Sequence, residues 1–174
     1  MSGPVWGRYF VSRETYIMRS KLLQQVSPVA GIDNQVVTLT AGAATLKGNA
    51  IAHVDDNGTL GNTRSAVICI NAGVSGAAAF AFTPKIQESD TTTDGDFTDV
   101  TLNGTLPVTA STTSAKSFKY FYLKTAGLKK YFRVVLTAAG TTTDTCSVSA
   151  SVILGDGSIE SLPRGTVPTV YAKA

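Results

Sequence analysis

The sequence predicts an all-β fold, an antiparallel β-sandwich or jelly roll with an N-terminal extension, and three observations carry that expectation. Only 16% of the 174 residues are charged while 43% are hydrophobic, against a usual charged share of about 25%. Thr, Ser, Ala and Gly fill the difference, and Thr and Ser are poor helix formers that suit the solvated face of a sheet. Second, from Gln35 onward the apolar residues recur with a period of two, the signature of half-buried strands. Third, turn-forming pairs such as Asn57-Gly58 and Asn103-Gly104 punctuate the chain, as they do in sandwiches at intervals of about 8–12 residues. The length suits one domain, and a chain of this size buries roughly 70% of its unfolded surface without help from metal or disulfides.

Residues 1–30 stand apart as an arm. Trp6, Tyr9, Phe10 and Tyr16 crowd there with Arg8, Arg13, Arg19 and Lys21 against the single acid Glu14, so the segment holds the whole net charge of +3. Arg13 to Gln25 is expected to form a short helix with Ser12 as N-cap and Ile17, Met18 and Leu22 as its apolar stripe. Pro28 and Gly31 then break the pattern. The sandwich is placed at 31–158, and 159–174 is read as an extended tail or an edge strand.

Within the sandwich, Val37, Leu39 and Leu46 fall in short runs, and Asp55-Asp56-Asn57-Gly58 is a hairpin signal. Ser65 to Asn71 reads as a fully buried strand, apolar on both faces at its middle. Ala79 to Ser89 turns Phe80, Phe82 and Ile86 one way and Thr83, Lys85 and Gln87 the other. Asp90 to Asp96 is a polar loop. Phe97 to Leu102 and Thr105 to Thr109 are expected to pair as a hairpin around Asn103-Gly104. Ser117 to Lys124 puts Phe118, Tyr120 and Tyr122 on one face and Lys119, Phe121 and Leu123 on the other. After a turn at Ala126-Gly127, Lys130 to Ala138 sends Phe132, Val134 and Leu136 inward and Tyr131, Arg133 and Thr137 outward. Thr145 to Leu154 alternates Cys146, Val148, Ala150, Val152 and Leu154 against Ser147, Ser149 and Ser151. Pro163, Gly165 and Pro168 mark the tail before Val170-Tyr171.

The inventory of reactive groups points away from catalysis. His53 is the only histidine, so a multi-histidine metal site is excluded, and Cys69 and Cys146 are too far apart in sequence for a CxxC knuckle. A Ser-His-Asp triad would have to use His53, which abuts a turn signal and reads as a strand-end residue. No GxxxxGK[ST] run exists. Asp94-Gly95-Asp96 and Gly155-Asp156-Gly157 lack the full EF-hand pattern and are explained by turns. Most acids fall in turns and loops, with Glu88 the best strand-borne exception, so a paired-carboxylate site is not expected. No catalytic residue, metal or cofactor is therefore assigned. Tyr120, Tyr122 and Tyr131 keep a sugar-binding reading in view, against the ordinary role of aromatics in packing a sheet. The cysteines are read as buried free thiols, with a bridge between facing strands left open. No dense basic patch, no apolar h-region and no run of 18 apolar residues is present, so no nucleic-acid partner, signal peptide or membrane span is expected.

Three phrases give the chain a resemblance: Lys85-Ile86-Gln87-Glu88-Ser89-Asp90 leading to Phe97-Thr98-Asp99-Val100, Lys129 to Thr137, and Ser147 to Gly155. Between Phe80 and Asp156 it resembles the small β-sandwich cement or decoration proteins of tailed-bacteriophage capsids, over less than half of its length. The resemblance implies a virion structural protein made in the host cytoplasm and bound to the capsid exterior. It implies the major capsid protein and further copies of the chain, in a homotrimer, as partners. Sandwich modules of phage tails, fibres and head fibres share the same phrases and form the alternative, with a carbohydrate-binding module behind them. A low-charge, Thr-rich surface can be buried between subunits without stranding charges. Trp6, Arg8, Tyr9, Phe10, Arg13 and Tyr16 are the interface candidates, since Trp and Tyr give large buried area per residue. The other reading of those aromatics, as caps on the domain's own core, stays open beside it.

Overall fold

The computed structural model describes residues 26–39, 42–52, 65–76, 79–140, 143–155 and 169–174. Among them the chain is a two-layer β-sandwich. The front sheet has the order β1-β10-β4-β8-β11, and the back sheet runs β2-β9-β5-β6 with β3 also on β9 and β7 also on β5. In chain order the strands are β1 (Val26–Leu39), β2 (Gly42–Lys47), β3 (Ile51–Ala52), β4 (Ser65–Ser75), β5 (Phe80–Ser89), β6 (Thr98–Asp99), β7 (Thr109–Ser111), β8 (Ser117–Lys124), β9 (Tyr131–Gly140), β10 (Asp144–Gly155) and β11 (Val170–Tyr171). Every pairing between them is antiparallel except β11 on β8.

Period-two burial builds the core as the sequence predicts. Phe80, Phe82 and Ile86 of β5, Phe132, Val134, Leu136 and Ala138 of β9, and Cys146, Val148, Ala150, Val152 and Leu154 of β10 are all buried in one cluster. Ala66, Ile68, Ile70 and Ala72 join them from β4, and Phe121 and Leu123 from β8. Each large side chain so removed from water contributes about 1.5–3 kcal/mol.

Three expectations are corrected. β1 takes in Val26 to Ala30, which the sequence reading gave to the arm. Pro28 is accommodated because, among the described residues, β1 is the edge of the front sheet and needs ladder bonds on one side only. Gly31 sits where the β1/β10 register shifts, at a bulge and not at a break. Its carbonyl accepts from the Asn49 N–H at 2.7 Å, while the Gly48 N–H donates to the Val134 carbonyl at 2.8 Å. This corner ties the front-sheet edge to the back sheet. Gly48 has no room for a side chain there: a Cβ would lie 2.3 Å from the Gly31 oxygen and 2.6 Å from that of Val134.

The Asn103-Gly104 hairpin does not form. β6 and β7 both pair with β5, at Gln87↔Asp99 and Phe82↔Thr109, and not with each other. The backbone between them is taken by the C-terminal residues instead. Asn103 N–H donates to Ala172 O, Ala174 N–H to Thr101 O, and Ala172 N–H to the Asn103 side chain, all at 2.9–3.0 Å. Gly104 lies under the Tyr171 ring, 3.3 Å from where its Cβ would be. Among the described residues a positive φ is found at Gly127, +92°, in the turn that the sequence did place correctly.

Val170 and Tyr171 thus form a short strand beside β8 at one side of the sandwich. Tyr171 is 8% exposed and meets Phe121 edge to face at 5.9 Å between ring centres. Lys173 ion-pairs at 2.6 Å with Glu88, whose other carboxylate oxygen accepts the Lys129 N–H at 3.0 Å. Tyr171→Ala is expected to lower unfolding free energy by about 3 kcal/mol, in the range of aromatic truncations in cores. Urea denaturation followed by far-ultraviolet circular dichroism measures it.

Candidate binding face

The two sheets turn very different outer faces to their surroundings. On the back sheet the outward positions of β5 and β9 include Lys85, Gln87, Arg133 and Val135. The sequence reading left Arg133 in solvent, yet it is only 5% exposed. The loop from Asp90 to Phe97 folds back over it. Its guanidinium lies 4.2 Å from the centre of the Phe97 ring, its Nε donates to Gln87 Oε1 at 2.9 Å, and its Nη1 pairs with Asp94. Asp94 also takes Lys47 at 2.7 Å, and Asp99 takes Lys85 at 2.9 Å and Gln87 at 2.6 Å.

Hydrogen bonds from Lys47 and then Arg133 hold the Asp94 carboxyl below its ordinary pKa. Those from Gln87 and then Lys85 do the same for Asp99. A carboxyl whose folded-state pKa is lowered adds stability above its unfolded value, about 3.9, and that stability is lost as pH falls through the lower folded values. The denaturation midpoint is therefore expected to fall below about pH 4, and the double variant Asp94→Asn, Asp99→Asn should flatten that fall. Solvent-exposed pairs of this kind are individually weak, so the slope with pH is the readout.

The front sheet is covered by nothing among the described residues. The register lays out its outer face in rows across β10, β4 and β8: Ile153, Val67 and Tyr122; Ser151, Cys69 and Tyr120; Ser149, Asn71 and Phe118. Val67 and Cys69 are half-buried, so β4 is central in its sheet but not sealed on both faces as its sequence suggested. Phe118 is 54% and Tyr120 53% exposed. Their ring centres are 6.0 Å apart, and Tyr120 stands 6.0 Å from Tyr122 at 82°. Side chains at alternate positions of one strand fall on one face, so the three rings form a line along β8. Tyr131 is on the opposite outer face, beside Lys130 at 5.7 Å, and shares no surface with Tyr120 or Tyr122.

At the Phe118 end the line runs into a cleft of about 320 Å³. Asn34, Asn71, Lys116, Ser147 and Ser149 line it with Phe118, and no acid does. The sequence contained the signal for this face, because Ser147, Ser149 and Ser151 mark the solvated side of β10. Which strands lie beside β10 was not readable, so the rings could not be assigned to that side.

Neither cysteine is bonded. Both thiols are free as expected, but only Cys146 is buried; Cys69 points outward and is half-buried. Cys146 lies 3.3 Å from the Ser111 hydroxyl and 3.4 Å from the Gly73 carbonyl. Burial raises the pKa of Cys69. A thiol reagent at neutral pH is expected to modify Cys69 more slowly than a free cysteine, and Cys146 only on unfolding. Two equally fast thiols would contradict this placement.

All six interface candidates, Trp6, Arg8, Tyr9, Phe10, Arg13 and Tyr16, lie outside the described residues, as do the helix expected over Arg13 to Gln25, His53 and the Asp55 to Gly58 turn. Among the described residues no group of three or more His, Cys, Asp or Glu side chains could hold a metal ion.

No family model matches the chain, and no curated protein does. Solved structures that it matches include a chain from the disulfide-linked pili of Bacillus endospore appendages. That match has 12% identity and a TM-score of 0.36, over 75% of this chain and 88% of that one. Another is the CBM22-1 xylan-binding domain of Paenibacillus barcinonensis Xyn10C, with 10% identity, a TM-score of 0.37, and coverage of 76% and 88%. A third is a chain of infectious bursal disease virus, Gx strain, with 12% identity, a TM-score of 0.44, and coverage of 76% of this chain and 32% of that one. At these values the likenesses carry no argument about what the protein does.

Proposed function

We propose that the protein is a non-enzymatic structural component of a bacteriophage virion, fastened to the capsid exterior by its N-terminal segment and presenting the front sheet as a binding face. The observation that carries the binding role is the contrast between the two outer faces. The back sheet pairs its charges with one another and covers Arg133 with its own loop. The front sheet leaves two aromatic rings about half exposed beside an unsealed apolar row. Covering roughly 200 Å² of such surface would contribute about 5 kcal/mol to an association before its entropic cost. The capsid assignment rests on the sequence resemblance, and attachment by the arm on its crowded aromatic and basic residues. A tail or fibre module would use the same sandwich, and electron microscopy of native particles tells the two locations apart.

A truncation after residue 25 tests the arm apart from the sandwich, since it leaves every described strand whole. Removing residues 1–25 is expected to leave the circular-dichroism spectrum of the sandwich in place and to abolish co-sedimentation with undecorated capsids. Normal decoration by the truncated chain would overturn attachment through the arm.

A further inference from the structure

The cleft at the end of the aromatic line has a composition that specifies a ligand class. Asn34, Asn71, Lys116, Ser147 and Ser149 converge on it, and none of their side chains has a hydrogen-bond partner among the described residues. Together they offer amide donors and acceptors, hydroxyls that do both, and one ammonium. Phe118 closes one wall with a ring that is 54% exposed, and Tyr120 and Tyr122 continue the line at 6.0 Å intervals.

A ligand matching this surface needs an apolar face for the rings and a hydroxyl-rich edge for the amides and serines. A sugar ring has both. Its axial C–H bonds carry slight positive charge and suit the negative face of an aromatic ring, while its equatorial hydroxyls pair with groups such as Asn and Ser. The volume, about 320 Å³, is at the small end of ligand sites, and the line of rings gives a longer chain somewhere to run. We infer that the cleft and the β8 ring line form a binding site for a linear saccharide, with Phe118 and Asn71 as its main contacts. This rests on the front sheet being a binding face, not on the capsid location.

Two other occupants fit less well. A second copy packed through the same face would bring two Lys116 ammonium groups to a surface whose cleft offers no acid to pair them. Single-stranded nucleic acid also stacks on aromatic lines, but it needs a continuous basic track. On β8 only Lys124 shares the outward register of the rings, at the far end from Lys116.

The test uses the full chain with soluble hexasaccharides of glucose, N-acetylglucosamine and galacturonic acid, an oligothymidine, and sedimentation velocity. At least one hexasaccharide is expected to bind, and Phe118→Ala and Asn71→Ala should each weaken it tenfold or more. Tyr131→Ala, on the opposite face, should leave it unchanged. Circular dichroism confirms that each variant folds. The inference is overturned by failure of all three sugars to bind, by binding that survives both front-face variants, by preferential binding of the oligothymidine, or by a dimer that Phe118→Ala dissolves. Capsid co-sedimentation of Phe118→Ala is read alongside. Sugar binding lost with decoration intact supports the inference, whereas decoration lost without any sugar binding sinks the inference and leaves the front sheet a protein-binding face.

Discussion

Two strands that follow one another in the chain, β9 and β10, lie in opposite sheets and turn alternate residues into one shared core. The rest of the sandwich is assembled on them. β10 carries β1 on one side and β4 on the other, and β9 carries β5 on one side and β2 and β3 on the other. A slip of one residue in either would exchange its buried and solvated sets completely. On β10 that would bring Ser147, Ser149 and Ser151 into the core in place of Val148, Ala150 and Val152. Register is therefore fixed by burial more than by turns, and the turns are free to vary.

That hierarchy explains which features were legible in the sequence. Inward residues of β5, β9 and β10 were readable because each strand declares its own buried face. The Asn103-Gly104 hairpin was misread because a turn signal states only that the chain reverses, and here the neighbouring backbone bonds to residues 172–174 instead. Arg133 was misplaced for a related reason. Its parity is outward, as expected, but a loop 39 residues earlier in sequence covers it, and coverage by a distant segment leaves no periodic trace. The binding face was half legible. Phe118, Tyr120 and Tyr122 were grouped correctly, but their exposure depends on strand order, and that depends on which sheet each crossover enters.

The electrostatic contrast between the layers gives the molecule a direction. Loop 90–97, Lys47, Lys85 and Arg133 give the back sheet a surface whose charges are satisfied within the chain. The front sheet has few charges and many hydroxyls, with rings along one strand. A module with one self-contained face and one unsatisfied face can be held in a crowded assembly without both faces competing for the same neighbour. Such a division suits a protein whose work is contact.

The front-sheet border has a further effect. Strand borders invite other chains to add on, and long ones seed fibres. β1 is fourteen residues long and would be a strong template, but Pro28 removes a donor, the register shifts bend the strand, and Asn49 occupies the Ala30 and Gly31 carbonyls. Between residues 28 and 31 that border is therefore a poor template for another strand.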